Sequence, residues 1–99
     1  MPTAKLTFTP KARRDLRDIV DYTERQWGME QAKKYYDEIM ARCHDLAEGI
    51  IVGIKRNEIK GTPHSFLVRK YLIFYHYTKT GVQVLRILHG ARDIPRHFR

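Results

Sequence analysis

The stretch from Phe66 to His89, FLVRKYLIFYHYTKTGVQVLRILH, most limits what this chain can become. It alone is dense enough in β-branched and aromatic residues to build the centre of a sheet. Leu72, Ile73, Phe74, Tyr75, His76 and Tyr77 follow one another almost without a polar break, as expected of a central strand buried on both faces. Thr78, Lys79, Thr80 and Gly81 then interrupt. Gly81 is suited to the positive φ of a short hairpin loop, and Val82 to His89 resumes the strand pattern. By the period of two, Val82, Val84, Arg86 and Leu88 share one side of this second arm, and Gln83, Leu85, Ile87 and His89 the other. Both sides are largely apolar. Helices can cover one of them, which leaves the other as a second core layer or as a surface where a partner protein lies down.

The residues before this stretch supply the cover. Lys5 to Thr9 alternates as a short strand, and Thr9-Pro10 ends it with a good N-cap followed by the residue preferred at a first helical position. Ala12, Leu16, Ile19, Thr23 and Trp27 recur at helical steps, with Val20 beside them and Arg13, Arg14, Arg17, Asp21 and Glu24 opposite, so the helix is amphipathic. Trp27 reads as a large core anchor at its end. Gly28 stops this helix, and Glu30 and Gln31 open a second one. Its stripe of Ala32, Tyr35, Tyr36, Ile39, Cys43, Leu46 and Ala47 runs on to Gly49, giving an antiparallel helical hairpin. From Ile50 to His64 the periodicity fades into a loop punctuated by Gly53, Gly61 and Pro63.

Composition narrows the function. Nineteen basic residues against eleven acidic ones give a net charge of +8 over 99 residues, which favours nucleic acid or an acidic protein as partner. The tail GARDIPRHFR, Gly90 to Arg99, is the most concentrated positive segment, suited to a phosphate backbone, an acidic groove or a disordered end. The chain is expected to be one domain, 1–99, with no linker, signal peptide or membrane span. Its lone Cys43 lies on the helical stripe as a small core residue, which fits a reducing cytoplasm.

Little catalytic chemistry is on offer. His44, His64, His76, His89 and His97 lack ligand spacing, so no metal is expected and no cofactor either. Ser65, the only serine, sits in no nucleophile elbow. RNA cleavage needs only a base, an acid and cations, types that Glu58, Arg69, Arg86 and His89 provide. Each also has a plain structural role open to it: Arg86 pairing with an acid, His89 bonded to backbone at a strand end, Glu58 in solvent.

The helical pair DLRDIVDYTERQWGMEQAKKYYDEI (Asp15 to Ile39), the IFY of the central strand (Ile73 to Tyr75) and RILHGARDIPRHF (Arg86 to Phe98) together resemble the ParE branch of the RelE/ParE toxins of bacterial type II toxin-antitoxin systems. The likeness covers nearly the whole chain. It implies an α+β fold of order β-α-α-β-β-β, an antiparallel sheet backed by an N-terminal helical hairpin. It implies a toxin that inhibits DNA gyrase rather than an enzyme, neutralised by a ParD-like antitoxin that also carries the complex to operator DNA. The antitoxin is expected along the helices and sheet, at Leu16, Ile19, Leu85 and Ile87, and the target at Arg86, His89, Arg92, Asp93, Arg96 and His97. RelE-type relatives instead cut mRNA on the ribosome, for which the candidates here are Glu58, Arg69 and His89. His89 is followed by Gly90 and no tyrosine lies beyond Tyr77, which argues against that branch; a non-toxic, antitoxin-binding regulator is the third possibility.

Overall fold

Thr9 sets the first turn of the chain in a computed structural model that describes residues 4–90. Its hydroxyl accepts from the Ala12 amide at 3.0 Å, capping the helix that Pro10 opens, and donates to the Leu85 carbonyl at 2.8 Å, tying that helix to the far end of the sequence. Strand β1 (Lys5–Phe8) thus leads directly into α1 (Pro10–Trp27), and α2 (Met29–Ala47) returns antiparallel to it. Gly28 is the whole joint: its amide closes α1 on Glu24 and its carbonyl receives Ala32 of α2. Its φ of 94° is open to glycine at little cost and to few other residues.

Four further strands follow: β2 (Ile54–Lys55), β3 (His64–Val68), β4 (Tyr71–Tyr77) and β5 (Gly81–His89). The five-stranded sheet has the order β1-β5-β4-β3-β2, with β4 at its centre as the apolar run implies. The expected antiparallel sheet is in fact mixed, because β1 runs parallel to β5, Lys5 opposite Gly81 and Phe8 opposite Val84. Short turns force β3, β4 and β5 into antiparallel neighbours, but nothing local sets the direction of strands from opposite ends of the chain. The two residues of β2, inside the stretch read as loop, are too few to leave a periodic trace. Gly81 does not take a positive φ; a Cβ there would lie 1.9 Å from the Lys5 carbonyl oxygen, so glycine is what lets β1 come alongside.

Strand β5 departs most from a simple alternation. Tyr75 pairs with Val84 but Phe74 with Arg86, leaving Leu85 as an extra residue in a bulge. Past it the faces exchange: Val82, Val84 and Ile87 all belong to the core under the helices, and Leu88 turns to the opposite face. The expected row of Leu85 and Ile87 on a free face is therefore corrected. Ile87 is 2% exposed beneath α1, and Leu85 is the half-buried bulge residue whose carbonyl Thr9 holds.

The main core joins Ala12 and Ile19 of α1, and Ile39, Cys43 and Leu46 of α2, to Val68, Tyr71, Ile73, Tyr75, Val82, Val84 and Ile87. Each large apolar side chain so buried contributes roughly 1.5–3 kcal/mol. Thr23, buried among them, satisfies its hydroxyl on the Ile19 carbonyl at 2.7 Å. On the other face Ile59 packs over Phe74 and Leu88, so the chain's own 56–62 loop covers the centre of the surface expected to stand open. Arg56 fastens that loop by donating to Ser65 Oγ at 2.7 Å. Leu67, further out, remains exposed. The core anchor expected at Trp27 is also corrected: the stripe is buried as far as Thr23, and Trp27 is 73% exposed. Helical spacing tells which side of a helix a residue takes, not how far the sheet extends beneath it.

Candidate functional site

The outer side of the helical hairpin carries an apolar groove. Leu16 and Val20, one turn apart on α1, face Tyr36 and Met40, one turn apart on α2, and Phe8 at the end of β1 closes one end. Arg13 and Arg17 line it too, and the space they enclose is about 410 Å3. These four helical positions lie at the margin of the buried stripes, where two adjoining helices leave a furrow that neither fills. The first turn of α1 holds no acid, while Lys11, Arg13, Arg14 and Arg17 crowd its start on exposed positions. Cations beside the positive end of a helix dipole cost about 0.3–1 kcal/mol each at low salt, so the groove lies in a positive field built against the helix's own preference.

Of the positions expected to meet an antitoxin, Leu16 alone lines this groove. Ile19 and Ile87 are core residues that border a separate recess of about 290 Å3 with Asp15, Asp18, Tyr22, Arg25 and Tyr71. Phe8 and Met40 had no place in the sequence reading of a site. The signal for the groove was nevertheless present: Val20 beside Leu16, and Tyr36 beside Tyr35, widen each apolar arc beyond what one contact needs.

A second constellation forms where β5 ends. Strand β1 pairs only with residues 81–84, so the outer edge of β5 beyond the bulge has no neighbouring strand. Asp15 of α1 stands in for one. Its carboxylate accepts the Ile87 amide at 3.0 Å and both arms of the Arg86 guanidinium, at 2.7 and 3.0 Å. Arg86 is thereby the strand residue paired with an acid that its position allowed. One step on, the His89 ring stands edge-on to Tyr71 at 5.7 Å, and Tyr71 edge-on to Tyr35 at 6.5 Å. Arg69, in the turn before β4, lies 5.0 Å from the centre of the Tyr35 ring and is bound to Glu38. Hydrogen bonding to Glu38, then its charge, holds the Arg69 guanidinium still more firmly protonated than usual.

The expected target contacts Arg86 and His89 are thus neighbours at one end of the sheet, while Arg92, Asp93, Arg96 and His97 lie outside the described residues. The candidate cleavage set is drawn from three places: Glu58 sits 3.4 Å from Arg56 in the loop after β2, Arg69 is committed to Glu38, and His89 ends β5. Among the described residues no group of three or more His, Cys, Asp or Glu is arranged to hold a metal. No helix among them is long and apolar enough to cross a membrane. The Cys43 thiol, its pKa pushed up to about 12 by burial, is no nucleophile at neutral pH.

A family model described as the ParE toxin of the type II toxin-antitoxin system, parDE, matches residues 6–94. The chain belongs to the ParE toxin family. Among ParE relatives, Toxin ParE1 of Mycobacterium tuberculosis is 27% identical over 97 residues, covering 97% of this chain and 99% of that one. Toxin ParE1 of Caulobacter vibrioides is 29% identical over 88 residues, or 89% and 91% of the two chains. In solved structures the fold recurs in a chain of the chromosomal ParDE TA system from P. aeruginosa, with a TM-score of 0.72 at 23% identity, over 88% of this chain and 96% of that one. The ParE fold is accordingly two helices on a five-stranded sheet, as the resemblance implied apart from the direction of β1.

Proposed function

We propose that this ParE-family toxin acts in the cytoplasm by binding DNA gyrase without itself being an enzyme, and that a ParD-like antitoxin keeps it inactive by laying an acidic amphipathic segment into the groove between α1 and α2. The groove carries the reading. An apolar furrow between two helices, with Arg13 and Arg17 in its lining on a chain of net charge +8, suits a helix that is apolar on one face and acidic beside it. Leu16 lies in that contact. Gyrase meets the other end, at Arg86 and His89 with Arg92, Asp93, Arg96 and His97. The antitoxin, rather than the toxin, touches operator DNA.

Supercoiling by purified gyrase, titrated with the isolated chain, is the test. A binding poison stops supercoiling or traps cleaved DNA in proportion to the molar ratio of toxin to gyrase, and addition of the antitoxin reverses the block. Undiminished supercoiling with no cleaved complex refutes the target.

A further inference from the structure

Trp27 is 73% exposed, although an indole is among the most strongly apolar groups a chain can leave in water. It borders a recess of about 420 Å3 shared with Gln31, Tyr35 and Lys70, within the roughly 300–1,000 Å3 typical of small-ligand clefts. Gln31 and Tyr35 follow Trp27 at intervals of four, on α2 across the Gly28 joint, and Lys70 comes from the turn between β3 and β4. The inner wall is fixed, since the Tyr35 ring is held edge-on by Tyr71 and capped by the Arg69 guanidinium. One corner thus offers a flat aromatic face, an amide able to donate and accept, and an ammonium group, on a molecule of net charge +8.

We propose that this corner binds an unpaired nucleotide of single-stranded DNA, the base stacking on Trp27, Gln31 meeting the base edge and Lys70 holding a phosphate. Every base presents a π-face, and stacking with neighbouring cations is how strands are held without regard to sequence. An acidic peptide satisfies Lys70 but brings no ring to lie against the indole, which is why the nucleotide is favoured. The inference goes beyond the gyrase reading and adds a direct DNA contact to it.

Trp27 is the only tryptophan, so the full-length chain carries its own reporter. Titration with oligo-dT of about a dozen nucleotides, a length within the span of single-strand sites, is expected to quench its fluorescence to saturation. Affinity should fall with salt by about 0.7 in log–log slope per phosphate engaged. Measured by anisotropy of labelled oligo-dT, Trp27→Ala weakens binding by about 5- to 100-fold, the range of one base stack, with an unchanged circular dichroism spectrum. Lys70→Gln reduces the salt slope by about 0.7. An abasic strand of equal charge binds more weakly than oligo-dT and leaves the indole emission unaltered. Equal binding by the Trp27→Ala variant or by the abasic strand overturns the proposal, leaving charge alone. A glutamate-rich peptide that quenches and competes as well as oligo-dT overturns it in favour of a protein surface. Loss of gyrase inhibition with these results intact refutes the gyrase reading and not this one.

Discussion

Replacing Asp15 by alanine removes the group that finishes the sheet edge. Its carboxylate takes one backbone amide, that of Ile87, and both arms of the Arg86 guanidinium, and the two side chains are only 12% and 22% exposed. A hydrogen bond to a charged group is worth about 1.5–3 kcal/mol, and removing one partner of a fully buried ion pair costs about 3–5 kcal/mol. Water reaches part of this pair, which lowers the figure to about 2–4 kcal/mol for Asp15→Ala. In a domain of this size about 1 kcal/mol shifts Tm by roughly 4–8 °C, so a fall of about 10–25 °C is expected in a calorimetric or circular dichroism melt. Asp15→Asn keeps an acceptor for the Ile87 amide and should lose about half as much. The double variant Asp15→Ala with Arg86→Ala isolates the pair, with an expected coupling of about 1–3 kcal/mol. A loss below about 1 kcal/mol for Asp15→Ala refutes the reasoning, because an edge amide and a guanidinium left unpaired cannot be that cheap.

Other substitutions separate surface from core. Leu16→Glu, at a half-buried position in the groove, should weaken antitoxin binding at least about 10-fold by calorimetric titration with little change in Tm, whereas Ile87→Glu, placing a charge in the core, should prevent folding. Arg69 has a φ of 55°, so Arg69→Gly should be about 1 kcal/mol more stable in urea than Arg69→Ala, since both lose Glu38 and only glycine escapes the left-handed penalty. Cys43 keeps its proton in the folded state up to about pH 12 but releases it near its ordinary value of 9.0 when unfolded. Above pH 9 the folded chain therefore binds more protons, and stability should fall by up to about 1.4 kcal/mol per pH unit relative to Cys43→Ala, with no difference below pH 8.

The helices were legible because their signals are local. Thr9-Pro10 names a start, Gly28 a joint, and the stripes of Ala12 to Thr23 and of Ala32 to Leu46 name the buried faces. The β4–β5 hairpin was legible for the same reason. The bulge at Leu85 was not, since it is set by the mismatch between β4 and β5 and by the Thr9 hydroxyl that holds the displaced carbonyl, neither of which a single stretch of sequence contains. That one residue decides which of Leu85, Ile87 and Leu88 faces the helices. Trp27 was misread on similar grounds, because the length of a helix relative to the sheet below it is a tertiary fact. The groove was half legible: Leu16 was named, but Phe8 and Met40 join it only when β1, α1 and α2 come together.

The position of β1 has a consequence for how the molecule comes into being. Its only strand neighbour is the last one to be synthesised, at residues 81–84, so the opening residues of the nascent polypeptide wait for almost the entire message to be read before they find their seat. Contacts so distant along the chain close slowly. A truncated product ending before Gly81 lacks the partner of its own first strand, and the toxin exists as such only after translation has all but finished.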